Sequence, residues 1–152
     1  VEAAEAIEAE MADGETLRVL GVEDHPVNRM ILEAWLGSAG HVAQTAENGQ
    51  VAIEAAAQER FDLIVMDVNM PVMDGLTATR LIRESGGANA ETPIVVLSAS
   101  ARTEDHQAGI DAGADAYLNK PIDFGALAGL MGRARGGRAL VRAGGEAEAM
   151  AA

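Results

Sequence analysis

The sequence predicts an α/β domain: a parallel sheet with helices on both of its faces. Three observations carry this. The runs "LRVLGV", "FDLIVM" and "PIVVLS" are short, rich in Val, Ile and Leu, and lack the polar-apolar alternation of a strand with one wet face. Stretches with apolar residues at helical spacing separate them, and such alternation builds right-handed strand-helix-strand units. The 152 residues suit one domain, long enough to bury about two-thirds of the surface its unfolded chain exposes.

The elements follow in order. Residues 1–16 hold Glu2, Glu5, Glu8, Glu10, Asp13 and Glu15, no base, and almost no bulky apolar face. They read as an acidic N-terminal extension or linker. The first strand, "LRVLGV", ends at Glu23 and Asp24. Gly21 inside it is unusual, because glycine weakens a strand interior. Pro26 suits the first turn of a helix, followed by Val27, Ile31, Ala34 and Trp35 at helical spacing, with Gly37 and Gly40 flanking its end. "HVAQTA" is a weaker second strand, suited to an edge. Asn48 is placed to cap a second helix carrying Val51, Ala52, Ala55 and Ala56.

The third strand, "FDLIVM", delivers Asp67 at its end, and Met-Pro and Met-Asp-Gly turns follow. Gly75 lets the backbone reverse toward a short helix over 77–83. "PIVVLS" ends at Ser98. Thr103 is expected to cap a fourth helix running through Ala112, with Gly113 as its stop. "DAYLN" is a weaker fifth strand leading to Lys120 and Pro121, and Asp123 caps a fifth helix with Phe124, Leu127, Ala128 and Met131. From Gly132 on, "GRARGGRALVRAGGEAEAMAA" is small and polar, so 132–152 reads as a tail and 17–131 as the domain.

Composition narrows the function. The net charge is -13 and no basic patch of consequence exists, which argues against a nucleic-acid partner. Arg133, Arg135, Arg138 and Arg142 gather near the C-terminus, where they are expected to solvate a helix end. The absence of cysteine excludes a disulfide scaffold and thiolate metal sites. No apolar stretch approaches the ~20 residues that cross a bilayer, and the acidic N-terminus does not resemble a signal peptide. This segment is therefore expected in the cytoplasm. Val1 in place of an initiating Met leaves room for a longer parent chain.

In open parallel sheets, ligands sit beyond the carboxyl ends of the strands. Glu23 and Asp24 follow the first strand, Asp67 and Asn69 the third, Ser98 the fourth and Lys120 the fifth. Two carboxylates about 4 Å apart repel by roughly 4 kcal/mol at an effective dielectric of 20. Lys120 supplies one compensating charge, and a hard divalent cation is the natural second. Mg2+ takes one or two carboxylates and shares phosphate oxygens. His25, His41 and His106 are scattered and make no set for a softer metal. The pattern suits phosphoryl transfer: Asp67 as carboxylate nucleophile on the central strand, Glu23, Asp24 and the Asn69 backbone carbonyl near the metal, Ser98 and Lys120 on phosphate oxygens.

"VLGVEDHPVNRMIL", "DLIVMDVNMPVMDGL", "PIVVLSASA" and "GADAYLNKPID" resemble, in order, the motif blocks of bacterial response-regulator receiver domains. The first block, with Asn28-Arg29 after Pro26, looks most like receivers of hybrid sensor histidine kinases. The resemblance implies a flavodoxin-like (βα)5 three-layer sandwich with strand order 2-1-3-4-5. It implies a phosphorelay switch that takes a phosphoryl group from a histidine kinase or its phosphohistidine domain onto Asp67. Mg2+ would be bound by Glu23 or Asp24, Asp67 and the Asn69 carbonyl, with Ser98 and Lys120 as phosphate contacts. Tyr117 falls on the family's switch aromatic, and the Lys120-Pro121 bond is expected to be cis. Such a domain is a phosphoacceptor, not a turnover enzyme, although a hybrid parent chain would be a histidine kinase. The tail is too short for a DNA-binding domain, so output is expected through a downstream protein partner.

Two other readings use similar parts. A dehalogenase-like Mg-dependent phosphatase also has a strand-ending Asp nucleophile, but it wants Asp-x-Asp, and Asn69 stands where the second acid belongs. A flavin carrier on the same topology needs a Ser/Thr/Gly phosphate loop after the first strand, where this chain has acids.

Overall fold

The computed structural model describes residues 16–143. The acidic extension up to residue 15 and the end of the expected tail, 144–152, lie outside the described residues. Strands β1 (Arg18–Val22), β2 (Val42–Ala46), β3 (Leu63–Asp67), β4 (Ile94–Ser98) and β5 (Ala116–Asn119) form one parallel sheet in the order β2-β1-β3-β4-β5. Helices α1 (Pro26–Ser38), α2 (Gly49–Gln58), α3 (Gly75–Glu84), α4 (Thr103–Ala112) and α5 (Phe124–Arg133) alternate with them. This is the flavodoxin-like three-layer order, with β3 at its centre and β2 on an edge.

The period of two along each strand sorts the core into two layers. Leu63 and Val65 pack with Leu32 of α1 and Leu127 of α5. Ile64 and Met66 pack with Ala52 of α2 and Ile82 of α3. Every residue of β3 and β4 is buried, which explains why their sequences are continuous apolar runs. Each such buried Leu, Ile or Val side chain contributes about 1.5–3 kcal/mol. Gly21 now has a reason: a Cβ there would stand 2.9 Å from Leu32 Cδ2, so the glycine lets α1 lie close on β1.

The helix starts follow side-chain chemistry. Asn48 Oδ1 accepts from Val51 N at 2.9 Å, and Asp123 Oδ1 accepts from Ala126 N at 3.1 Å. Asp74 caps α3 in the same way, accepting from Thr77 N at 2.9 Å, so that helix begins at Gly75, earlier than the span 77–83 read from the sequence. Thr103 is not a cap but the first residue of α4; Arg102 occupies the cap position and makes no side-chain cap bond. Ser100 organises this turn instead: its Oγ accepts from Arg102 N at 3.2 Å and donates to Asp105 Oδ2. Gly113 ends α4 with φ of 108°, as expected. The Lys120-Pro121 bond is cis.

Residues 134–143, read from the sequence as the start of a small polar tail, carry two core residues. A turn of 3-10 helix, Ala134–Gly136, precedes helical residues 138–143. Ala134 and Val141 are buried against Leu17, Val95 and Leu130. Arg138 and Arg142 do not merely solvate a helix end. Each donates its Nε to Asp115 Oδ1 at 2.9 Å, while Arg83 Nη2 donates to Asp115 Oδ2 at 2.7 Å. Asp115 stands just before β5, at the amino end of the sheet.

Candidate functional site

The opposite, carboxyl edge of the sheet gathers the charged residues. β1 and β3 pair in register at Val22 and Met66, and β3 and β4 at Asp67 and Leu97. Glu23 and Asp67 therefore come at the same height on neighbouring strands, and Ser98 stands one residue beyond Leu97, the partner of Asp67. All three are buried, at 3%, 2% and 2% exposure. Lys120 follows β5 and is tied to β4 by its own N–H, which donates to Ser98 O at 2.8 Å.

From there its Nζ reaches across the sheet. It donates to Glu23 Oε1 at 2.9 Å and stands 3.0 Å from Asp67 Oδ2. Glu23, Asp24 and Asp67 each offer a carboxylate oxygen, and these three atoms lie within 4.8 Å of one another. One lysine faces three acids. Two carboxylates at such a separation repel by about 3 kcal/mol at an effective dielectric of 20.

The protonation of the pair reflects this crowding. Burial pushes the Asp67 carboxyl up to about 7, and the hydrogen bond and charge of Glu23 push the same way against the pull of Lys120. For Glu23, burial works upward too, but hydrogen bonds with Asp67 and Lys120 outweigh it and hold the carboxyl well below its ordinary range. Crowding thus splits the pair: the Asp67 carboxyl is driven toward its neutral form while Glu23 is held ionised. Burial opposes the charge of Lys120, yet its bonds to Glu23 and Asp67 raise its pKa.

A cation of magnesium type fits this donor set. The ligands are all hard oxygens, and Glu23 Oε2 is buried without a hydrogen-bond partner, an orphaned acceptor next to two other carboxylates. The candidate ligands Glu23, Asp24 and Asp67 are thus together. Asn69 lies in the exposed start of the β3–α3 loop.

Two further residues sit on the β4–α4 side. Ser98 Oγ accepts from Ser100 N at 3.1 Å, which leaves its own O–H to offer. The Tyr117 hydroxyl donates to Ser100 O at 3.1 Å. Its ring packs on His106 with centroids 3.8 Å apart, over the gap left by Gly109, where a Cβ would meet the ring at 3.2 Å.

The sequence reading gave no role to Arg29. One turn into α1, its Nη1 donates to Glu23 O at 3.0 Å and Asp24 O at 3.4 Å, holding the backbone that presents both acids. The available signal was its place in the Asn28-Arg29 pair after Pro26. Gly75 matters by its closeness to the acceptor: a Cβ there would lie 2.0 Å from Asp67 O.

Residues 19–131 match the family model described as response regulator receiver domain. The chain belongs to the response regulator receiver domain family. This receiver is 46% identical over 110 residues to the two-component response regulator ORR41 of Oryza sativa subsp. japonica, covering 70% of this chain and 84% of that one. Its other relatives include far longer proteins. It is 39% identical over 120 residues to hybrid signal transduction histidine kinase G of Dictyostelium discoideum, 78% of this chain but 4% of that protein. It is 36% identical over 112 residues to sensor histidine kinase RcsC of Escherichia coli K12, 74% of this chain and 12% of that protein.

Among solved structures, the receiver domain of sensor histidine kinase PA1611 from Pseudomonas aeruginosa PAO1, with a magnesium ion coordinated in its active site cleft, is similar at TM-score 0.73. That pair is 36% identical, covering 80% of this chain and 98% of the other. The receiver domain of Ssk1, in complex with the histidine phosphotransfer protein Ypd1 of Saccharomyces cerevisiae, is similar at TM-score 0.72 and 30% identity, covering 76% of this chain and 86% of the other. The protein is thus a receiver domain of two-component signalling, related to phosphorelay components. Among its described residues no helix is long and apolar enough to cross a membrane.

Proposed function

We propose that this receiver takes a phosphoryl group onto Asp67 from the phosphohistidine of a histidine kinase or histidine phosphotransfer protein, and passes the signal through protein contacts in the cytoplasm. The observation that carries this is the convergence of Glu23, Asp67 and Lys120 on one point at the carboxyl edge of the sheet. A deprotonated Asp67 carboxylate oxygen attacks phosphorus, the P–N bond breaks, and its electron pair returns to the donor imidazole. Burial and Glu23 raise the Asp67 pKa, which works against the ionised form that attacks. Glu23, held low, stays ionised throughout.

After transfer, Lys120 exchanges its contact with Asp67 Oδ2 for a phosphoryl oxygen, and the free O–H of Ser98 donates to another. Glu23 or Asp24, Asp67 and the Asn69 carbonyl would hold Mg2+, which when bound neutralises charge on the carboxylates and the phosphoryl oxygens. Movement of Ser98 draws on Ser100, whose carbonyl anchors Tyr117, so Tyr117 is the ring that reports occupancy. The working unit spans 17–131, with 134–143 docked on it.

The test is labelling with acetyl phosphate, with and without EDTA, in wild type and Asp67→Asn. Label that requires Mg2+ and is lost in Asp67→Asn is the expected result. Label that persists in the variant would move the acceptor to another residue.

A further inference from the structure

Among the described residues, two buried side-chain polar atoms have no hydrogen-bond partner. Glu23 Oε2 is explained by the acidic cluster it belongs to, where a cation fits. His106 Nε2 belongs to no such cluster, and phosphoryl transfer at Asp67 makes no use of it. A buried polar atom left unpaired lowers stability, so one that persists in a folded domain calls for a reason.

The ring lying against it supplies that reason. His106 stands one turn into α4 and faces Tyr117, with centroids 3.8 Å apart and planes inclined by 32°. Whichever imidazole tautomer is present, Nε2 is a donor without an acceptor or an acceptor without a donor. Packing does not call for nitrogen here: leucine or phenylalanine would also cover the Tyr117 ring and would strand no polar atom. Room for the ring comes from Gly109, one turn farther along α4. A Cβ there would stand 3.2 Å from Tyr117 Cδ2 and 3.3 Å from Val96 Cγ2.

The pose of Tyr117 is thus favoured by two contacts and opposed by a third. The ring stack and the hydroxyl bond to Ser100 O hold it, while the buried nitrogen beneath counts against it. Withdrawal of the ring opens Nε2 to water, so the cost falls on this pose alone. A cost that falls on one of two states shifts their balance toward the other. The balance is wired to the site, because Ser100 N donates to Ser98 Oγ while Ser100 O accepts from Tyr117.

We propose that His106 sets the balance point of the Tyr117 switch: its unpartnered nitrogen penalises the pose in which the ring covers it, so that filling the Asp67 site displaces the ring at low cost. This rests on Asp67 being the phosphoacceptor and on Tyr117 responding to its occupancy. By linkage, whatever steadies the covered pose must weaken the phosphoryl group's hold on the site.

The test titrates beryllofluoride at saturating Mg2+ into the full chain carrying 3-fluorotyrosine. Fluorine spectra read the bound beryllofluoride and Tyr117, the only tyrosine, separately. His106→Leu and His106→Phe remove the nitrogen, and Gly109→Ala crowds the same ring while leaving His106 in place. Both His106 variants are expected to raise the half-saturating beryllofluoride concentration by about threefold or more, and to melt above wild type without metal. Gly109→Ala is expected to lower that concentration. Half-saturation within about twofold of wild type in both His106 variants overturns the proposal. So does a lower melting temperature in both, which would mean that the nitrogen was no cost. A rise in Gly109→Ala that matches theirs also overturns it, since damaged packing would then be the cause. Bound beryllofluoride with an unmoved tyrosine resonance in the wild type would instead overturn the reading of Tyr117 on which this rests.

Discussion

Lys120 Nζ stands 3.0 Å from Asp67 Oδ2, although the two residues follow strands separated by β4. The same ammonium holds Glu23, so it screens two buried acids that otherwise face each other bare. With its side chain 25% exposed it is only partly reached by solvent. Lys120→Met should therefore destabilise the metal-free protein by about 2–4 kcal/mol, since removing one member of a buried pair strands the rest. Urea unfolding at pH 7.5 without divalent ions measures this. A loss below about 0.5 kcal/mol would contradict it.

Asp67 sets a pH dependence of definite sign. Its folded pKa is raised to about 7 from 3.8. Between those values the folded protein keeps a proton that the unfolded chain has lost, so stability falls as pH rises through that window. Glu23, lowered from 4.5, contributes stability that is present above 4.5 and lost only as pH falls below it. Asp67→Asn removes the Asp67 penalty. Without metal, the variant should be more stable than wild type by about 1–3 kcal/mol above pH 7, with the advantage shrinking toward pH 4.5. Thermal melts across pH 4.5–8 check this, and a constant difference would sink it.

Tyr117 is the only tyrosine in the chain, which makes it a clean probe. At rest its hydroxyl is bound to Ser100 O and its ring packs on His106. Incorporated 3-fluorotyrosine should give one fluorine resonance, which shifts when beryllofluoride and Mg2+ mimic the phosphoryl group. Ser98→Ala should abolish the shift. An unmoved resonance in the wild type would remove Tyr117 from the switch.

Val141 lies in the core with no exposed surface. Val141→Ala should cost about 2 kcal/mol, from lost burial and the cavity left behind. A chain ending at Gly132 should lose more, because Arg138 and Arg142 leave Asp115 as well. Denaturant midpoints decide it. An unchanged midpoint for the shortened chain would mean that 134–143 adds nothing to the fold.

The centre of the sheet was legible because β3 and β4 are buried throughout, which writes itself into the chain as unbroken apolar runs. The candidate site residues Glu23, Asp24, Asp67 and Lys120 were legible because each stands at or just past the end of an expected strand, although the run before Lys120 is the weak "DAYLN". The fourth helix start misled because Thr103 is a good cap by type, while Ser100, farther back, was already bonded to Arg102 N and Asp105. The span 134–143 misled because a single valine among small and charged residues makes no periodic signal. Its attachment depends on Asp115, far away in sequence.

Asp115 has one further consequence. It draws Arg138 and Arg142 to the end of the sheet where the strands begin, and Val141 packs there beside Leu17, just ahead of β1. The polypeptide therefore enters and leaves this body on the same side, with the acidic rim facing away. A module wired in that manner can be spliced into a much larger protein, or hung from its end, without its reactive face being overshadowed by whatever it is joined to.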